Sequence, residues 1–143
     1  MADLFHHFPI KARVEEVFRA VSSPSGLDAW WTERSSGVAE LGSEYELWFG
    51  PEHDWRASVL KCTPNTGFEL ELTRADGDWL GTRVGFELEE RDGVTHMRFA
   101  HTGWPEANEH FRVSSFCWAM YLRLLKRFVE RGEIVPYERR LEV

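Results

Sequence analysis

A switch in hydrophobic periodicity near residue 104 limits the folds that are open to this chain. Between residues 44 and 103, apolar and polar side chains alternate in short runs, which is typical of strands with one buried face. From 105 to 131 no residue breaks a helix, and Gly132 is placed to end one. A one-faced sheet and a long helix bury their apolar surfaces against each other, so the pattern predicts an α+β fold.

Four runs show the alternation most clearly, and turn-forming sequences separate the later ones. Residues 64–67, 75–78 and 91–93 carry Asn, Asp and Gly in the combinations that favour tight turns. Neighbouring strands are therefore predicted to be hairpin partners in a curved antiparallel sheet. The apolar positions of the four runs are Tyr45, Leu47 and Phe49; Phe68, Leu70 and Leu72; Val84, Phe86 and Leu88; and Met97 and Phe99.

The N-terminal segment predicts one strand followed by two short helices. Residues 4–10 read as the strand, with Pro9 near its end. An amphipathic helix follows, and Pro24 is placed to open a second one. The apolar positions are Val14, Val17, Phe18 and Val21 in the first helix, and Leu27, Trp30 and Trp31 in the second.

Charge and composition restrict the partners and the compartment. The formal net charge of -7 disfavours nucleic acid, since phosphate binding requires clustered Lys and Arg. No apolar run approaches the ~18 residues of a membrane span. Cys62 and Cys117 form no CxxC motif and no signal peptide is visible, which predicts reduced thiols and a cytoplasmic location. The length of 143 residues suits a single domain, 1–143.

Three local patterns carry a resemblance to a known superfamily. Residues 12–21, followed by 27–31, are similar to the opening helices of one branch of the START-like, or SRPBCC, superfamily, the branch homologous to the activator of the heat-shock-protein ATPase. Residues 99–104, Phe-Ala-His-Thr-Gly-Trp, resemble the end of its last strand, and residues 118–132 resemble its closing helix. The resemblance implies the helix-grip fold: a curved antiparallel sheet wrapped around a long C-terminal helix, with two short N-terminal helices. Cys117 departs from the family, which commonly has glycine before the helix tryptophan.

The aromatic composition and the resemblance both predict a pocket between the sheet and the C-terminal helix. Seven tryptophans and ten phenylalanines are many for this length, and large rings often surround a cavity. We therefore expect a small hydrophobic or lipid-like ligand there. Trp30 and Trp31 are either core residues or a lid over the pocket mouth. The expected lining consists of Trp30, Trp31, Leu47, Phe49, Phe86, Met97, Phe99, His101, Phe111, Ser114, Trp118 and Leu122.

His101 is the polar residue best placed to serve this pocket. Alternation puts it on the same face as Met97 and Phe99, close to where the helix begins. One alternative is an interior histidine whose nitrogens are satisfied within the protein. The other is a polar anchor for a ligand carbonyl or hydroxyl, or an acid–base group. Ser114 either lines the cavity or bonds back to the helix backbone.

The sequence favours ligand binding but leaves two other functions open. It contains no phosphate loop, dinucleotide fingerprint, HExxH or GxSxG motif, so we expect no cofactor, no metal site and no assigned catalytic residue. A cyclase or hydrolase would use the same pocket with His101, assisted by Glu46 or Arg83. A protein-interaction module would bind a chaperone or another protein through strand glutamates such as Glu69 and Glu87.

A small apolar patch is predicted on the outer, charged side of the long helix. Val113, Phe116 and Met120 follow helical spacing and turn away from the sheet. Either the C-terminal tail, residues 133–143, or a second copy of the chain in a homodimer covers this patch. The tail is the favoured alternative.

Overall fold

One antiparallel sheet of seven strands forms the frame of the protein, and the long C-terminal helix packs on its apolar face. The computed structural model describes residues 1–143. The strands are β1 (Ala2–Ile10), β2 (Arg34–Ser36), β3 (Glu44–Trp48), β4 (Asp54–Thr63), β5 (Gly67–Arg74), β6 (Arg83–Arg91) and β7 (Val94–Trp104). The helices are α1 (Val14–Ser22), α2 (Pro24–Trp30) and α3 (Glu109–Arg131), with short 3-10 turns at Gly77–Trp79 and Tyr137–Glu142. The strand order is β1-β7-β6-β5-β4-β3-β2.

The predicted strands and their hairpin pairing are confirmed. β5, β6 and β7 follow one another in the sheet as antiparallel neighbours. Asp92 and Gly93 both have positive φ, 54° and 77°, which is the conformation that a two-residue hairpin turn requires. Two strands, β2 and β4, were not predicted individually. Ala57 and Val59 of β4 are buried, but the apolar Leu60 directly after Val59, where the register with β5 shifts, interrupts the alternation.

The two short helices form as predicted, and one serine joins them. Ser23 accepts a hydrogen bond from the Gly26 N–H at 3.1 Å and so caps the start of α2. Gly26 faces α1 so closely that a Cβ atom would lie 2.6 Å from the Ala20 carbonyl oxygen. The same carbonyl accepts the indole N–H of Trp30 at 2.9 Å. This close approach seats α2 in the core.

The C-terminal helix ends where predicted but begins four residues later. Gly132 adopts the left-handed conformation, with φ 68°, and stops α3. At the other end, the Asn108 side chain accepts the Phe111 N–H at 3.0 Å. Asparagine is a strong N-cap, and it fixes the first turn at Glu109 rather than at Pro105. The expected start at 105 was therefore wrong.

The core lies between the inner face of the sheet, α1 and α2, and one side of α3. Trp118, Leu122 and Leu125 of α3 are buried against strand residues that include Phe86 and Phe99. Burial of each such side chain contributes about 1.5–3 kcal/mol of transfer free energy. None of the helices combines the length and the apolar character that crossing a membrane requires. Cys62 and Cys117 are not bonded to each other.

The C-terminal tail turns back to α2, where one buried arginine holds it. Arg140 is 3% exposed, and its guanidinium donates to the carbonyl oxygens of Asp28 at 2.7 Å, Thr32 at 3.1 Å and Val135 at 3.0 Å. Carbonyls at the end of a helix lack intrahelical partners, and their partial negative charge attracts a cation. Arg140 thus completes the C-terminal end of α2.

This course of the tail corrects one prediction. The tail does not cover the apolar patch on α3, since Phe116 remains 80% exposed and Val113 52% exposed. The physical reason is that the carbonyls of Asp28 and Thr32, at and just after the end of α2, accept hydrogen bonds from Arg140, whereas carbonyls in the middle of a helix such as α3 are paired within the helix.

Replacing Arg140 by alanine is expected to release the tail. The Arg140→Ala variant loses three charge-assisted hydrogen bonds, so we expect a loss of about 2–3 kcal/mol in the free energy of unfolding and rapid proteolysis within residues 133–143. Urea denaturation and limited proteolysis followed by mass spectrometry measure both. Arg139→Ala removes a neighbouring exposed arginine and serves as the control. Equal stability of the two variants would contradict a role of the Arg140 hydrogen bonds in holding the tail.

Candidate functional site

A groove of about 370 Å³ opens between the first half of α3 and the loops at one end of the sheet. The loop between β3 and β4, the connection between β5 and β6, and the C-terminal tail each contribute to its walls. The lining residues are Phe49, His53, Trp55, Asp76, Trp79, His110, Val113, Ser114, Cys117, Trp118, Tyr121 and Tyr137.

Stacked tryptophans form the floor of the groove. The Trp79 ring lies 5.7 Å from that of Trp118 with an interplanar angle of 21°, and 5.0 Å from that of Trp55. Phe49 extends this row, with its ring centroid 4.9 Å from Trp55. The Trp79 indole N–H donates to the Ser114 hydroxyl at 3.3 Å, which ties the floor to α3. The floor is therefore apolar and held in place from two sides.

The space behind this floor, where the pocket was predicted, is filled by side chains. The Trp118 ring lies 4.5 Å from Phe99 and 5.1 Å from Trp31. Phe111 packs instead against Trp104, at 5.3 Å between ring centroids. Of the expected lining, three residues line the groove: Phe49, Ser114 and Trp118. The remaining expected residues are buried behind it: Trp30, Trp31, Leu47, Phe86, Met97, Phe99, His101 and Leu122.

His101 is fully buried, and both of its ring nitrogens are hydrogen-bonded within the protein. The indole N–H of Trp118 donates to Nδ1 at 3.0 Å. Since an indole is only a donor, Nδ1 carries no proton and Nε2–H donates to the Thr82 hydroxyl at 2.7 Å. That hydroxyl donates in turn to the Trp79 carbonyl at 2.6 Å. This geometry matches the alternative of an interior histidine. Through Trp118 and Thr82, His101 also positions the two tryptophans of the groove floor.

The electrostatics of the interior keep this network neutral. Burial, with a smaller contribution from His110, lowers the pKa of His101 to about 3. Burial also raises the pKa of Tyr121 to about 12, so the phenol of this groove residue stays protonated at neutral pH and can donate a hydrogen bond. The Trp55 indole nitrogen is buried without a hydrogen-bond partner. The groove region therefore contains hydrogen-bond donors beside its apolar floor.

Polar side chains surround the mouth of the groove. His53 contacts the Asp76 carboxylate through Nδ1, which links the loop after β3 to the connection after β5. Asn108, the N-cap of α3, donates to Asp78 at 2.9 Å, and His110 lies 3.6 Å from the same carboxylate. The structure contains no group of three or more His, Cys, Asp or Glu side chains placed to hold a metal ion.

Several groove residues lie outside the expected lining. Trp79 belongs to a polar turn and Trp55 follows a short loop, so neither sits in a clear apolar repeat. An isolated tryptophan among Asp and Gly residues was a usable signal for Trp79. Tyr137 lies in the tail, and its hydroxyl donates to the Phe49 carbonyl at 3.1 Å. No local pattern predicts that contact between residues so distant in the chain.

Comparison with known families and structures agrees with this architecture. Residues 11–130 match the model of the family described as Activator of Hsp90 ATPase homolog 1-like protein. Comparison with curated protein sequences gave no significant match.

Solved structures extend the similarity over almost the whole chain. The Aha1 dimer from Colwellia psychrerythraea is 30% identical, with a TM-score of 0.83 over 93% of this chain and 99% of that chain. MLL2253 from Mesorhizobium loti is 19% identical, with a TM-score of 0.77 over 93% and 100%. CalU16 from Micromonospora echinospora is 20% identical, with a TM-score of 0.73 over 98% and 83%. The last two similarities concern the fold alone.

Proposed function

Because the chain belongs to the family of Activator of Hsp90 ATPase homolog 1-like proteins, we propose that it binds a small hydrophobic molecule in the groove beside α3. The fold commonly accommodates such ligands. The observation that carries the proposal is the convergence of five partly exposed aromatic side chains on one concave surface. Folded proteins seldom leave such a surface without a use. The five are Phe49, Trp55, Trp79, Tyr121 and Tyr137.

The geometry also limits the size and polarity of the ligand. Since the interior behind Trp118 is filled, the ligand lies along the groove rather than inside the sheet. Its apolar part contacts the tryptophan floor. A carbonyl or other acceptor on the ligand would accept a hydrogen bond from the Tyr121 hydroxyl, which lines the groove. A short, rigid molecule with one acceptor fits these conditions better than a long acyl chain.

Native mass spectrometry of freshly purified protein tests the proposal. An added non-covalent mass of a few hundred daltons, lost on denaturation, would support it and begin to identify the molecule. If the protein is purified empty, titration with the neutral probe N-phenyl-1-naphthylamine, followed by quenching of tryptophan fluorescence, provides the test. A protein that is purified empty and also does not bind the probe would refute the proposed function.

Filling the groove is expected to weaken probe binding. In Val113→Trp an indole replaces a small side chain on the groove wall, so we expect the affinity for N-phenyl-1-naphthylamine to fall at least about tenfold through steric exclusion. Val38→Trp is the matched control, because Val38 is 57% exposed, Val113 is 52% exposed, and only Val113 lines the groove. Equal affinities of the two variants would place the probe elsewhere.

Self-association is a second candidate property of the chain. The Aha1 protein from Colwellia psychrerythraea, 30% identical to this chain, was solved as a dimer. This chain exposes Phe116, an aromatic residue that its own tail does not cover. We therefore propose that it forms a homodimer. Sedimentation velocity over a range of protein concentrations tests this, with a sedimentation coefficient that rises with concentration as the expected result.

The structure lends less support to the other two functions. A chaperone partner would meet strand glutamates that are interspersed with arginines, since Glu71 lies 3.9 Å from Arg83 and Glu89 lies 3.1 Å from Arg91. Such mixed surfaces are commonly solvated. A cyclase or hydrolase would need a free acid–base group, and both nitrogens of His101 already have protein partners. Ligand binding is therefore the function that the structure supports best.

A further inference from the structure

The outer side of α3 carries a stripe whose two halves complement each other. Six positions alternate in steps of four and three residues, which places them in line along one side of a helix as in a coiled-coil seam. The stripe is acidic at its N-terminal end, apolar in the middle and basic at its C-terminal end. We call it the α3 stripe; it consists of Glu109, Val113, Phe116, Met120, Arg123 and Arg127.

No other part of the chain covers the α3 stripe. Phe116 is 80% exposed and Val113 52% exposed, while Met120 is partly buried. Arg127 lies 3.9 Å from Glu133, and both side chains are well solvated, so this contact holds neither firmly. The tail runs instead to α2 through Arg140. The centre of the stripe is thus an unpartnered apolar surface with charges at both ends.

The order of residues in the stripe matches an antiparallel copy of itself. If a second α3 packs antiparallel with the two-fold axis midway between Phe116 and Met120 on the outer side of the helix, Phe116 of each copy faces Met120 of the other. The same axis sets Val113 against the aliphatic stem of Arg123. It also sets Glu109 against Arg127. A parallel arrangement would instead place like charges together.

We infer that a second copy of this chain binds the α3 stripe, with the two helices antiparallel and the two-fold axis midway between Phe116 and Met120. This interface rests on the proposed homodimer and specifies how it forms. Two-fold symmetry uses the same surface twice, so each favourable contact occurs twice. One helix from each copy is a smaller contact than the ~1,600 Å² of a standard interface, so we expect a dissociation constant in the range of about 1–100 μM. The groove lies on the adjacent flank of α3 and shares Val113 with the α3 stripe, so the second copy would border one edge of the groove.

Charge reversal across the stripe tests the inferred arrangement. Glu109→Arg and Arg127→Glu each place like charges opposite one another, so each single variant is expected to weaken dimerisation about tenfold. The double variant restores opposite charges at both ends and is expected to recover the wild-type dissociation constant. Phe116→Glu introduces a charge into the apolar centre and should weaken dimerisation by about 30-fold or more. Sedimentation velocity measures all four variants, and circular dichroism verifies that each is folded.

A charge reversal away from the stripe supplies the control. Glu87 and Arg98 are opposite each other on β6 and β7, and their double reversal is expected to leave dimerisation unchanged. Wild-type protein that stays monomeric up to 1 mM would overturn both the dimer and the interface. A wild-type dimer that is insensitive to Phe116→Glu and to the single reversals would retain the dimer and overturn this interface. Recovery in the double variant supports the antiparallel arrangement specifically.

Discussion

Acidification from pH 7 to pH 4.5 is expected to lower the free energy of unfolding by about 2.5 kcal/mol through His101 alone. In the folded protein, burial lowers the pKa of His101 to about 3, whereas the unfolded chain has the ordinary value of 6.5. Between these two values the unfolded state binds a proton that the folded state does not. Stability is therefore fully present above pH 6.5 and decreases progressively toward pH 3.

The variant His101→Gln isolates this contribution. Glutamine does not titrate, and the other five histidines are the same in both proteins, so their effects cancel in the difference. We expect the variant to be less stable at pH 7 but to lose less stability on acidification, with urea denaturation at each pH as the measurement. If the free energy of unfolding changed with pH in the same way in the wild type and the variant, His101 would not be a neutral interior group. An imidazole resonance of His101 that titrates near pH 6 would show the same.

The largest loss of stability is expected for Trp118→Ala. The Trp118 side chain fills the space between Trp31, Trp79 and Phe99, and truncation of a buried tryptophan costs about 3–5 kcal/mol. The variant also leaves Nδ1 of His101 without its donor in the interior. Denaturation in urea should show this loss as a shift of the midpoint, and the groove should lose its floor, so probe binding should disappear as well.

The variant Trp118→Phe separates packing from hydrogen bonding. Phenylalanine keeps a ring in the same space but cannot donate to His101, so we expect a smaller loss of about 1–2 kcal/mol. If alanine and phenylalanine cost the same, the contribution of Trp118 would be its hydrogen bond and not its packing. If neither variant lost more than about 1 kcal/mol of stability, the neighbouring rings would have to move into the space that the Trp118 side chain leaves.

The secondary structure was largely predictable because its signals are local. The alternation in β3, β5, β6 and β7 and the helical repeat of α3 are properties of residues close in sequence. The start of α3 was predicted at 105 because nothing after Pro105 forbids a helix. The Asn108 cap decided the boundary, and capping was a local signal that the hydrophobic pattern did not weigh.

The candidate site was predictable only in part, because the groove depends on contacts between distant segments. Phe49, Ser114 and Trp118 were found by placing the apolar face of a strand and a helix together. Trp55 and Trp79 were not, since each lies beside or within a loop whose direction no repeat encodes.

The class of fold, the order of its elements and the apolar face of each could be predicted from the sequence, since these follow from residues that are neighbours in the chain. The use of the interior follows from the tertiary structure instead. It filled the expected cavity with rings, gave His101 two internal partners, and directed the tail to α2 through Arg140. Each of these outcomes depends on which distant groups meet at atomic distances, because side-chain packing and buried hydrogen bonds are settled by that geometry and not by local pattern.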